Sequence, residues 1–122
     1  VDCGSVNRVN GGTAYNTSSD YRLKENVVDL VGAKSRLNDL KVKRFNLISF
    51  PSATVDGFLA HEVQTIVPEA ITGTKDQVDS NGNPEYQGID QSKLVPLLTA
   101  ALQEAFAEIA ALTARVETLE AG

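Results

Sequence analysis

The chain has 122 residues and a net charge of −5, with 42% hydrophobic and 22% charged residues. That is the composition of one small globular domain, or one with an appended element, and it excludes a disordered chain. The acidic balance argues against a sequence-independent hold on nucleic acid, which needs a basic face.

A single cysteine, Cys3, excludes an internal disulfide and a thiolate zinc site. No apolar run approaches the roughly 20 residues of a membrane span, so no membrane partner is expected. Val1 is not an initiator Met, and the expectation is a piece of a longer chain. A chain this short buries only about two-thirds of its surface when it folds alone, which makes oligomerisation a source of stability.

Residues 1–18 are small and polar, with Asn10-Gly11-Gly12 as a turn between two weakly β-like stretches. They read as the tail of an upstream β-rich element that pairs with neighbouring chains. From Ser19 the character changes. Val27, Leu30, Ala33, Leu37 and Leu40 recur at steps of three and four, the stripe of an amphipathic helix, with Asp29 as its N-cap and Gly32 as a weak point. Leu40 to Leu47 alternates apolar and polar as a half-buried strand, ended by Pro51 and Ser52.

Asp56-Gly57 reads as a turn, Phe58 to Ala60 as a brief strand, and His61 to Ile66 as a short helix stopped before Pro68. Residues 72–85 form a polar loop turning at Ser80 to Asn83, and Tyr86 to Ile89 the returning strand.

From Ser92 a helix runs to the end of the chain, capped by Asp90 or Ser92, with Pro96 tolerated in its first turn. Val95, Leu102, Ile109 and Val116 take one heptad position, and Leu98, Ala105, Leu112 and Leu119 the other. Such a pattern predicts a coiled coil. β-Branched residues at a and Leu at d lean towards two strands, while Ala101, Ala107, Ala110, Ala111 and Ala114 widen the apolar face towards more. Arg115 and Glu120 stand at g and the following e, the spacing of an interchain pair in a parallel coil. A helix folded back on its own domain is the alternative, and the stripe is long for so small a core. The expected fold is therefore α+β: a small mixed domain of short strands and helices, 19–91, followed by a coiled-coil helix, 92–122.

Familiar chemistry mostly fails. His61-Glu62 starts like a zincin helix, but Thr65 stands where the second His belongs, and one His builds no metal site. Asp79 to Gly82 lacks the charges of a calcium loop. No metal and no cofactor are expected. Ser19 and Lys24 remain. A serine hydroxyl needs a base to take its proton, and a lysine serves only when neutral, which burial or a nearby positive charge such as Arg22 favours. The five-residue spacing is not that of a helix pair, so a turn or a second chain must join them.

That pair stands in a series of blocks: Ser19-Asp20-Tyr21-Arg22-Leu23-Lys24-Glu25-Asn26-Val27, then Asp56 to Gln64, Val67-Pro68-Glu69-Ala70, and Gly88 to Leu98. In this order the blocks resemble the chaperone-of-endosialidase family, self-cleaving C-terminal chaperones of phage tail spikes and fibres, over residues 19 to about 105.

The resemblance implies a parallel homotrimer that guides folding of the upstream fibre or spike and then cuts itself off. It implies cleavage between Ser18 and Ser19, with Ser19 as nucleophile and Lys24 as base. Asp20 and Asn26 would position, and His61 and Glu62 would support the site across the trimer. It places the domain in the host cytoplasm during virion assembly and the parent protein in the virion tail. The alternative is a trimerisation module that does not cleave.

Overall fold

The computed structural model describes residues 4–122; Val1 and Cys3, with the expectations drawn from them, lie outside the described residues. Three two-stranded antiparallel sheets and a long C-terminal helix make up the mixed fold.

Strands β1 (Gly4–Val9) and β2 (Gly12–Thr17) pair with each other in full register. Their two-residue loop, Asn10-Gly11, has φ of 48° and 84°, the double left-handed conformation of the turn that matches strand twist. The hairpin ends directly before Ser18-Ser19.

Helix α1 spans only Ala33–Asp39, shorter than the apolar stripe predicts. Asn26 and Gly32 both take left-handed φ, and Val27, Val28 and Val31 disfavour helix, so the chain stays irregular until Gly32. Gly32, not Asp29, is the N-cap, and it has no side chain to offer. The cap comes from far along the chain. The backbone N–H of Ala33 and that of Lys34 donate to the Glu104 carboxylate at 3.1 and 2.7 Å, and Lys34 Nζ pairs with Glu108.

Strands β3 (Lys43–Leu47) and β4 (Phe50–Gly57) form a ribbon that turns at Ile48-Ser49. Pro51 and Ser52 do not end the strand but begin its return, and Asp56-Gly57 lie opposite Arg44 and Lys43 rather than in a turn. A proline is tolerated because a two-stranded ribbon is all edge. Asn46 Nδ2 donates to the carbonyls of Pro51 and Ala53, holding the irregular register there.

Phe58 and Leu59 are not a strand; they lead into helix α2 (Ala60–Gln64), close to the expected short helix. Strands β5 (Ile71–Thr72) and β6 (Gly88–Ile89) then pair, and the loop between them turns over Asp79, whose Oδ1 accepts from the backbone N–H of Asn81 and of Asn83.

Asp90 caps a 3-10 turn, Gln91–Leu94, accepting from the Ser92 N–H and hydroxyl, and the chain continues as helix α3 (Val95–Ala121). The core is Ala33, Val63, Val67, Ala70, Ile71, Leu94, Leu97 and Ala101. The 3-10 turn gives it Leu94, and helix α3 gives it Leu97 and Ala101, a stripe different from the heptad positions. The heptad residues stay exposed: Leu102, Ile109 and Leu112 at 55–59%. Helix α3 is thus two-faced. Its first half packs back on α1, and the heptad stripe faces solvent apart from half-buried Ala105.

By length and composition the helical stretch Gln91–Ala121 could cross a membrane, which corrects the reading that nothing in the chain approaches that length. Its acidic Glu104 and Glu108 are engaged with α1. The whole chain exposes 10030 Å². A compact monomer of this mass exposes about 6,300 Å².

Candidate functional site

The segment from Ser19 to Lys24 is organised by one polar turn. Asp20 is the N-cap of a 3-10 helix, Tyr21–Leu23, and its Oδ1 accepts from the Arg22 N–H at 2.9 Å. The same carboxylate takes the Arg22 guanidinium on both oxygens, Nε to Oδ1 at 3.0 Å and Nη2 to Oδ2 at 2.9 Å. This pairing, foremost the side-chain contact, holds the Asp20 carboxyl below the usual carboxylate range and raises Arg22 above its own.

The turn closes with Leu23 N–H on the Asp20 carbonyl and Lys24 N–H on the Tyr21 carbonyl, both at 3.1 Å. Lys24 leaves in extended conformation, and its Nζ donates to Ser19 Oγ at 2.7 Å. The five-residue spacing is bridged within one chain, by a turn.

A hydroxyl and an amine at this distance form a nucleophile and base pair when the amine is neutral: the proton then runs from Oγ to Nζ along the same line. Arg22 does not stand beside Lys24 as an unbalanced positive charge, because Asp20 neutralises it. What the sequence signalled only as Asp-x-Arg is a two-oxygen clamp. Ser18, at the end of the hairpin, lines a small cleft with Gly4, Ser5, Asn16 and Thr17.

The remaining predicted site residues lie apart from this pair. Asn26 has φ 54°, a conformation that Asn tolerates better than most residues, and serves as a backbone bend two residues after Lys24. His61 is half-buried on α2 and lines a cleft of about 310 Å³ with Asp76, Gln77, Glu85 and Tyr86. Glu62 faces Lys41 and Lys43, at 3.3 and 3.9 Å, and ties α2 to the start of β3. Its Oε1 is buried without a hydrogen bond among the described residues. Among the described residues neither His61 nor Glu62 hydrogen-bonds to Ser19 or Lys24. Among the described residues no group of three or more His, Cys, Asp or Glu side chains is arranged to hold a metal ion.

Around the pair the segment is open. Tyr21, Leu23, Val27, Val28 and Val31 are all exposed, although most are apolar. A run of this kind is a surface awaiting cover.

Residues 19–72 match the family model described as chaperone of endosialidase, a family classed among peptidases. The match bears out the resemblance carried by the sequence blocks and contains Ser19, Asp20, Lys24, Asn26, His61 and Glu62. It ends at β5; the block from Gly88 to Leu98 and the heptad helix lie beyond it. No curated protein matches the chain.

Proposed function

We propose that this chain is a C-terminal intramolecular chaperone that assembles as a parallel homotrimer, assists folding of an upstream phage tail fibre or spike in the host cytoplasm, and releases itself by autoproteolysis between Ser18 and Ser19. The observation that carries the reading is the 2.7 Å contact between Lys24 Nζ and Ser19 Oγ, inside the residues that match a peptidase family.

The chemistry uses one chain's atoms. Neutral Lys24 Nζ takes the proton from Ser19 Oγ as the oxygen attacks the carbonyl carbon of Ser18. The Ser18 C–Ser19 N bond breaks and the nitrogen receives the proton from Nζ, leaving an ester between Ser18 and the Ser19 side chain. Water hydrolyses the ester, giving the Ser18 carboxylate and a free Ser19 hydroxyl. The nucleophile adjoins its own target bond, so no binding step is needed and the effective concentration is high. The reaction occurs once per chain.

Assembly supplies the timing. In a single chain Ser19 and Lys24 are exposed. Removing water disfavours the charged form of an amine. Association of three copies along the heptad stripe brings the exposed Tyr21, Leu23, Val27, Val28 and Val31 against neighbours and dries the pair. Once cut, residues 1–18 and all that precedes them lose their folding helper, and the fibre is held by the height of its unfolding barrier.

The second reading, a trimerisation module without cleavage, is favoured by that same solvent exposure of the pair. Intact mass after denaturation separates the two. Cleavage yields fragments beginning at Val1 and at Ser19, and Ser19→Ala keeps the chain whole. If wild type and Ser19→Ala are both intact under assembling conditions, the module reading stands. Lys24→Ala cutting at the wild-type rate removes Lys24 as the base.

A further inference from the structure

The turn that carries Lys24 to Ser19 has no core beneath it. Tyr21, Arg22 and Leu23 are all exposed and none is buried against the domain. One turn of 3-10 helix is not stable by itself, since its hydrogen bonds are few and poorly aligned. What holds this one is polar. Both Asp20 oxygens are occupied by Arg22, and the backbone N–H of Arg22 shares Oδ1 with its own Nε. Side chain and backbone of one residue thus both hold the carboxylate of the residue two before it.

We infer that Arg22 is a positioning residue for the Ser19–Lys24 chemistry, its guanidinium fork locking Asp20 so that the turn delivers Lys24 Nζ onto Ser19 Oγ. The inference rests on the autoproteolytic reading above and assigns Arg22 a geometric part in it, distinct from any effect of its charge on the amine. The two are separable because lysine keeps the charge and lacks the fork: a planar guanidinium meets both carboxylate oxygens, whereas an ammonium is a point charge on a flexible stem. Displacement of a reacting group by about 1 Å costs on the order of a hundredfold in rate.

The test follows cleavage of the full chain during cell-free synthesis, by intact mass at timed intervals, for wild type, Ser19→Ala, Arg22→Lys and Arg22→Ala. Arg22→Ala slows cutting about a hundredfold. Arg22→Lys falls much closer to Arg22→Ala than to wild type. Guanidinium chloride, far below denaturing concentrations and against sodium chloride of equal ionic strength, restores part of the Arg22→Ala rate by refilling the carboxylate fork. Sedimentation shows all four assembling alike.

Arg22→Lys cutting as fast as wild type overturns the inference in favour of charge alone. Absence of guanidinium rescue, or loss of assembly in both Arg22 variants, overturns it in favour of a structural or interface role. Failure of the underlying reading looks different: wild type then stays whole, or Ser19→Ala is cut.

Discussion

Ile109 lies in the part of α3 beyond the domain, at a heptad position, and is 58% exposed in the single chain. Replacing it by alanine touches nothing in the core, so the fold of one chain stays as it is. Assembly is another matter. Ile→Ala removes three carbons, each worth about 0.8 kcal/mol when fully buried, or about 2.5 kcal/mol. Slightly over half of that surface is still available for burial, which leaves about 1.5 kcal/mol per copy. In the proposed trimer the three copies would together lose about 4 kcal/mol, roughly a thousandfold in the association constant.

Sedimentation equilibrium over a range of concentrations reads that change directly. Cleavage at a fixed, low concentration reads its consequence: Ile109→Ala cuts slowly where wild type cuts fast, and recovers as concentration rises. Two results refute the reasoning. Ile109→Ala assembling as tightly as wild type removes the heptad stripe as the interface. A variant shown to be monomeric yet cutting at the full rate removes the dependence of the chemistry on assembly.

The parts of the fold legible in the sequence were those with a local cause. Asn10-Gly11 can adopt the two positive φ values of a tight hairpin at little cost, and the hairpin is there. Asp90 offers a side-chain oxygen two residues before Ser92, and it caps the turn into α3. The failures have distant causes. Helix α1 begins at Ala33 because a carboxylate on Glu104 is waiting for its N-terminal N–H groups, and no window around Asp29 contains that information. The stripe from Val27 to Leu40 has helical spacing, yet the residues from Val27 to Gly32 lie outside the helix. Pro51 reads as a stop and sits in a strand, because the ribbon leaves that strand's outer edge free of partners.

For the site, the sequence supplied the residue types and the structure supplied the geometry. Ser and Lys five apart carry almost no signal alone, and only the accompanying blocks singled them out. That a 3-10 turn closes the spacing depends on the Asp20–Arg22 clamp, visible in sequence as an Asp-x-Arg but with nothing there to distinguish it from two solvated charges. His61 and Glu62 were grouped with the pair because their block accompanies it, and within one chain they have other neighbours.

Two further predictions concern the joint between α1 and α3. Leu97→Ala empties a core position that is 2% exposed and lowers the stability of the chain by about 2–5 kcal/mol, read by denaturant unfolding; a loss under 1 kcal/mol would mean that α3 does not pack on the domain as described. Glu104→Gln tests the borrowed cap through pH. The Lys34 N–H foremost, with those of Ala33 and Gly32, holds the Glu104 carboxyl below the usual carboxylate range. A group with a depressed folded pKa binds its proton more readily unfolded, so its contribution is complete above the unfolded value of about 4.3 and disappears as pH falls through the lower folded one. Glutamine carries no titrating group and is a weaker acceptor. Wild type therefore melts higher than Glu104→Gln at neutral pH, and the gap between their melting temperatures closes in acid. A gap that is constant with pH would show that the Glu104 charge is not what holds α1 to α3. Were that so, α3, the helix expected to join the copies, would be held to α1 by apolar contacts and by the Lys34–Glu108 ion pair, the polar link left to test.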